Sequence, residues 1–215
     1  NGLGVAALNA ITNKTDDNPL TNYNVFIIDK ALDNSSSISL MNTNVTNTND
    51  DKDANVTGIF TRFNNKKNTH VYDANLKMSQ EFFTDSTNIG FSGMLKASKN
   101  SGNYRYELYS LFEDEKYNPN DLGFLYSNNE ITNGLNIGYE QLNENKNFIF
   151  SKHYLFIKHN TLFTDNKFVN LEIEAEAKYM LKNYLFIMAK IVSNPYEQDD
   201  YYEARTSDFE SPLKR

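Results

Sequence analysis

The chain has 215 residues, 39% of them hydrophobic, a formal net charge of −7 and no cysteine. The length suits one or two ordinary domains, and no run approaches the ~18 apolar residues a spanning helix needs. The acidic balance argues against a nucleic-acid partner, which would want a basic stripe, and the missing thiols exclude disulfides, thiolate metal sites and cysteine nucleophiles.

Taken in chain order, the opening "NGLGVAALNAIT" already reads as a strand over 2–12, so the chain is expected to be a piece of a longer protein. Weak alternation follows at 22–32, 37–46 and 54–63. Then Tyr72, Ala74, Leu76 and Met78 alternate with Asp73, Asn75, Lys77 and Ser79. Ile89, Phe91, Gly93, Leu95 and Ala97 alternate with Gly90, Ser92, Met94, Lys96 and Ser98. Tyr104, Tyr106, Leu108 and Phe112 share one face, as do Ile131, Leu135, Ile137 and Tyr139. In 147–160 both faces carry large apolar residues, which leaves its facing open. Val169, Leu171, Ile173, Ala175, Ala177 and Tyr179 alternate with Asn170, Glu172, Glu174, Glu176 and Lys178, and a last candidate lies at 184–194.

A helix would spread positions 169–179 around its whole circumference, whereas a strand points alternate residues one way. Exposing every apolar side chain costs more than the few tenths of a kcal/mol per residue that helix propensity offers. Eleven strands and no helix are therefore expected. The links "DNSS", "NNKKNT", "KNSGN", "NENK" and "KN" are short and turn-like. The alternate links, 13–21, 47–53, 81–87, 114–129 and 161–167, read as longer.

Long strands with long and short links at opposite ends fit an all-β, antiparallel, up-and-down transmembrane β-barrel, with 1–215 one segment of it, incomplete at both ends. Dry faces containing Ala74, Gly93, Ala97, Ala175 and Ala177 would fill a soluble core poorly and cost little against lipid. Asp73, Lys77, Lys96, Glu172, Glu174, Glu176 and Lys178 are then the candidate lumen lining. Tyr72, Tyr104, Tyr139 and Tyr179, near strand ends, suit an interfacial girdle.

"PLTNYNV" (19–25), "NSSSISLMNTN" (34–44), "YNPNDLGFL" (117–125) with "NN" (128–129), and "NY" (183–184) before "DDYYEAR" (199–205) occur in this order. Together they resemble the C-terminal barrel of a family of uncharacterised Bacteroidota outer-membrane proteins. Its members carry an N-terminal module similar to family-9 carbohydrate-binding domains. The resemblance covers nearly the whole chain and implies a fold and a bacterial outer-membrane location, not a reaction. Leu185 stands where the family has Trp, and "TSDFES" (206–211) replaces a Gly-rich segment. The sugar-binding module is not among these residues.

No catalytic constellation is visible and no cofactor is expected. Glu172, Glu174 and Glu176 have the ~7 Å spacing of any Glu-x-Glu on a strand, so a glycosidase carboxylate pair is a much poorer reading than a hydrated wall balanced by Lys178 and Lys190. His70, His153 and His159 form no metal pattern. The acidic stretches at 15–18 and 47–53 lack calcium-loop spacing, and "GFSG" (90–93) is not a nucleophile elbow. The long link is the candidate plug or partner-docking loop, through Tyr117, Asn118, Pro119, Asn120, Asp121, Leu122 and Phe124, because apolar residues suit a solvated tip badly; the equal alternative is a loop packed on its own barrel rim. The expected function is a non-catalytic channel, transporter or envelope-complex component. The alternative is a membrane anchor for a carbohydrate- or polymer-binding module, and an enzyme comes third. The expected partners are outer-membrane lipid and other envelope proteins or glycans.

Overall fold

Period-two alternation leaves extended backbone as the regular structure that segregates polar from apolar side chains here, and the fold is built from it. The computed structural model describes residues 2–15, 19–48, 52–201 and 213–214. Its strands are β1 (Leu3–Thr12), β2 (Leu20–Ala31), β3 (Ser37–Thr48), β4 (Lys52–Asn64), β5 (His70–Phe83), β6 (Thr87–Lys99), β7 (Tyr104–Glu113), β8 (Glu130–Gln141), β9 (Phe148–Leu162), β10 (Phe168–Leu181) and β11 (Phe186–Ser193). They form one antiparallel up-and-down sheet in chain order, β1 to β11. Two features were not foreseen: a single 3₁₀ turn at Asp33–Ser35 and a short pair, β12 (Asp199–Asp200) with β13 (Leu213–Lys214).

The expected alternation of long and short links is weaker than the sequence suggested. β3 ends at Thr48 and β4 begins at Lys52, while β5 ends at Phe83 and β6 begins at Thr87. Polar ladders let these strands run on: Thr21 donates to Asn47 Oδ1 at 2.8 Å, and Asn47 N donates to Asp53 at 2.8 Å. Only 13–19, 114–129 and 142–147 remain longer than five residues among the links between β1 and β11. Residues 16–18, 49–51 and 202–212, which include parts of the acidic stretches and of "DDYYEAR" and all of "TSDFES", lie outside the described residues.

Packing divides the chain into two compact parts. The first comprises Asn1–Asn64, Tyr72–Leu95 and Leu111–Glu130; the second comprises Asn65–Val71, Lys96–Ser110 and Ile131–Arg215. We call the face of the sheet that carries residues 114–129 the front, and the other the back.

In the second part the back is apolar, and the front is polar on β8 and most of β10, with Phe150, Phe156, Phe186, Met188 and Val192 added to it from β9 and β11. Leu108 and Ile137 are exposed on the back. Register settles the ambiguous β9: Leu155 and Ile157 pair with Ala175 and Ile173 on the back, while Tyr154 and Phe156 pair with Glu176 and Glu174 on the front. A row of rings crosses the back at one end, with Tyr104–Tyr139 at 4.9 Å, Tyr139–His153 at 6.4 Å, His153–Tyr179 at 5.2 Å and Phe148–Tyr179 at 5.2 Å between centroids. The histidines are thus ring partners, His70 with Tyr106 and His159 with Phe168 likewise. On the front, Tyr109 lies flat over Gly134 and Tyr154 over Gly138, where a Cβ would come within 2.1 Å and 2.9 Å of the rings.

One residue of the dry stripe departs from expectation. Val169 sits at a register shift between Phe168 and Asn170 and is buried with Leu162 and Tyr201. A bulge adds one unpaired residue and re-aims its side chain, so Val169 no longer follows Leu171 and Ile173.

In the first part, β5 and β6 keep the apolar back. β2–β4 do not. Their front holds Tyr23, Val25 and Ile27 beside Val45, Thr43 and Met41, and these last continue to Ala54, Val56 and Gly58. Their back carries an amide ladder in which Asn9 donates to Asn22 at 2.6 Å and Asn24 at 2.7 Å, and Asn42 donates to Thr57 at 2.8 Å. The mixed faces are why these strands read weakly in sequence. The dry front has a local cause: a long loop packs on it.

Candidate functional site: a loop seated on the sheet

The site is the segment 114–129 on the front of β3–β6. Its ends belong to the ladder, since Asp114 N donates to Phe91 O at 2.9 Å and Asn129 N to Asp114 O at 3.2 Å. Between them the chain is braced by its own asparagines, whose short amide side chains mimic backbone groups in turns. Asn120 accepts from Leu125 N at 2.6 Å and donates to Leu125 O at 3.2 Å. Asn128 donates to the carbonyls of Glu115 and Tyr117 at 2.9 and 3.1 Å.

Tyr117 is the anchor, 3% exposed. Its backbone crosses directly above Gly90: a Cβ there would lie 2.2 Å from Tyr117 N and 2.3 Å from Lys116 C. Glycine is required at 90 for close approach, not for an unusual backbone angle. Burial pushes the Tyr117 phenol up to about 12, with the Glu113 charge adding to it.

Polar clamps hold the next residues. Asn118 N donates to Ser79 Oγ at 3.0 Å, and its amide donates to Glu81 at 2.9 Å. Lys52 bridges Glu81 and Asp121, 3.0 Å from each. Pro119 and Leu122 turn toward Met41, Val56 and Phe60. Phe124 points away from the sheet. It is 86% exposed and Tyr126 beside it 89%, because the Asn120–Leu125 brace holds the tip out from the sheet.

Beneath the loop the ladder bonds set up a polar row. Phe83 N to Ser86 O begins the β5–β6 register and carries Lys77 opposite Ser92; the Asp114 bonds set Glu113 opposite Ser92 and Glu130 opposite Glu113. Lys77 lies 5.3 Å from the Tyr117 ring centroid. Ser92 Oγ and Asn75 Oδ1 are buried without a hydrogen-bond partner among the described residues. Glu113 and Glu130 stand side by side, yet neither lines the cavities of about 390 and 130 Å³ beside the loop.

The expected lumen-lining residues share the front. Arg62 holds Asp73 at 2.7 Å, Lys96 meets Glu107 at 3.6 Å, Lys178 meets Glu176 at 2.6 Å, and Lys190 meets Glu174 at 2.7 Å. Glu172 lies on the same side, across from Lys158. Lys190 pairs with Glu176 in the ladder but forms its ion pair diagonally. The sequence did not reveal Glu140, where Arg105 at 3.3 Å, Lys152 at 3.9 Å and the Tyr154 hydroxyl at 2.7 Å converge. Nor did it reveal Lys52, Ser79, Glu81 and Gly90 as the loop's seat; Gly90 on a polar face was the one visible signal. Among the described residues no three metal-ligating side chains converge.

No curated protein and no solved structure matches the chain. A family described as "Domain of unknown function (DUF5916)" matches residues 1–213, and the chain belongs to that family.

Proposed function

We propose that the chain is a segment of a bacterial outer-membrane β-barrel without catalytic activity, serving transport or an envelope complex, with residues 114–129 as an inward-folded constriction. One observation carries the reading. Large apolar side chains are exposed on the back, Leu76 at 50%, Leu95 at 68% and Ile191 at 71%, while polar front residues such as Ser79, at 1%, are buried. Water-soluble proteins rarely expose contiguous apolar surface on this scale, and lipid is the solvent that suits it. Strands of eight to fifteen residues match the ~9–11 a tilted membrane strand needs. The ring row on β7–β10 supports an interfacial girdle.

Single cysteines test this in a chain that has none. Cysteine at Leu76, Leu108 or Ile137 should resist a water-soluble maleimide in outer-membrane vesicles and react in detergent. Cysteine at Lys96 or Asn136 should react with it once the vesicles are permeabilised. Equal reactivity of both sets in vesicles would end the membrane reading. Planar-bilayer conductance that rises on deleting 116–126 supports a plugged channel.

A second reading is an anchor for an extracytoplasmic carbohydrate- or polymer-binding module, of the sort borne by the Bacteroidota proteins this chain resembles. The exposed Phe124 and Tyr126 favour it, since they offer an aromatic contact at the loop tip. Conductance unchanged by the deletion, with loss of a co-purifying module, favours the anchor.

A further inference from the structure

The cavity of about 130 Å³ beneath the loop has a one-sided chemistry. Met41, Val56, Phe60, Pro119 and Leu122 make its walls mostly apolar, beside Thr43. Lys77 supplies its cationic group: its stem lies over Gly58, 3.2 Å from where a Cβ would be, and its ammonium reaches toward the Tyr117 ring. Glu113 acts on Lys77 electrostatically, but among the described residues Lys77 forms no ion pair. The volume is close to one that takes a benzene-sized body and well below the ~300 Å³ at which drug-sized sites begin.

We propose that this cavity binds a small organic monocarboxylate, its carboxylate against Lys77 and an apolar body the size of one ring or a short alkyl chain between Phe60, Val56 and Leu122. The neutral walls accept the body, and the unpaired ammonium selects the head group by a charge-assisted hydrogen bond. Two of the walls, Pro119 and Leu122, belong to the loop, so occupancy favours the seated loop by mass action. The site is a ligand-sensitive catch on the constriction. It depends on the loop's seat and not on the membrane reading, so the cysteine experiment and this one fail separately.

The test uses benzoate on the purified full-length protein, with benzyl alcohol as the neutral match. Trypsin cleavage after Lys116, identified by fragment mass, requires Tyr117 to leave its seat. Benzoate at ten times its Kd should slow that cleavage about tenfold, and benzyl alcohol at the same concentration by less than twofold. Lys77→Met, which keeps the stem, should raise the benzoate midpoint at least tenfold. Val56→Phe, which fills the cavity and leaves the loop's polar clamps untouched, should abolish protection while cleavage without benzoate stays within threefold of wild type. Equal protection by benzoate and benzyl alcohol, protection surviving in both variants, or no protection by benzoate would each overturn the proposal.

Discussion

Replacing Gly90 by alanine should unseat the loop. The new Cβ would lie 2.2 Å from Tyr117 N, where ordinary contact begins at 3.4 Å. The nearest atoms are backbone, so no side-chain rotation can relieve the overlap, and the loop must lift by about 1.2 Å, the difference between those two distances. A lift of that size takes the 3.0 Å bond from Asn118 N to Ser79 and the 2.9 Å bond to Glu81 beyond reach. Overpacking costs about 1–3 kcal/mol, and each hydrogen bond contributes roughly 0.5–1.5 kcal/mol. About 2–6 kcal/mol of seating free energy is therefore lost, which raises the lifted population roughly 30- to 20,000-fold at 1.4 kcal/mol per decade. Limited trypsin digestion reads this directly, because cleavage after Lys116 follows the open population when opening is fast. Gly4→Ala is the control, since its nearest neighbour lies at 3.8 Å. A Gly90→Ala protein with an unchanged circular-dichroism spectrum and a cleavage rate within threefold of wild type would refute the reasoning.

Lys52→Met leaves Glu81 and Asp121 without their shared cation and should cost about 1–3 kcal/mol of loop seating, less than a fully buried pair because Lys52 is partly exposed; Lys52→Met/Asp121→Asn should recover part of the loss in the same digestion. Tyr117 binds its proton more tightly folded than unfolded, so its contribution to stability is complete below pH ~10 and disappears as pH rises through about 12; a shift of that size is worth about 2–3 kcal/mol. Absorbance at 295 nm should show the late-titrating phenol, and Tyr117→Phe should remove it. Glu140→Ala strips the hub from Arg105, Lys152 and Tyr154, leaves cations on the front without a partner, and should lower stability by about 2–4 kcal/mol in thermal melts, whereas Glu144→Ala, which breaks only the exposed pair with Lys182, should change it by less than ~1 kcal/mol.

Much of the fold was legible because strand alternation is local. A period of two in Tyr72–Ser79 or Leu171–Met180 follows from which side chains share a face, and each strand announces it without reference to its neighbours. That is why eleven strands, and the common face of Glu172, Glu174 and Glu176, could be read directly. The loop was also visible as a length and a composition, but not its seat. Asn118, Asn120 and Asn128 look like solvated turn residues until they are seen bracing the loop and holding it to Ser79 and Glu81, and composition does not say that Leu122 faces the sheet while Phe124 faces out.

Local sequence thus determined the strands, their two-sidedness and the candidate loop, since each depends on residues close together in the chain. Tertiary structure decided what the faces meet. The pairing of β8 with β9 put the Tyr154 hydroxyl on Glu140, and the crossing of Tyr117 over Gly90 turned a glycine that looked incidental into the condition for a closed loop. It also made the front of β3 and β4 dry, because residues 114–129, some seventy positions later, pack against it. Alternation specifies that a strand has two environments; only the arrangement of distant segments assigns which of them is covered by protein.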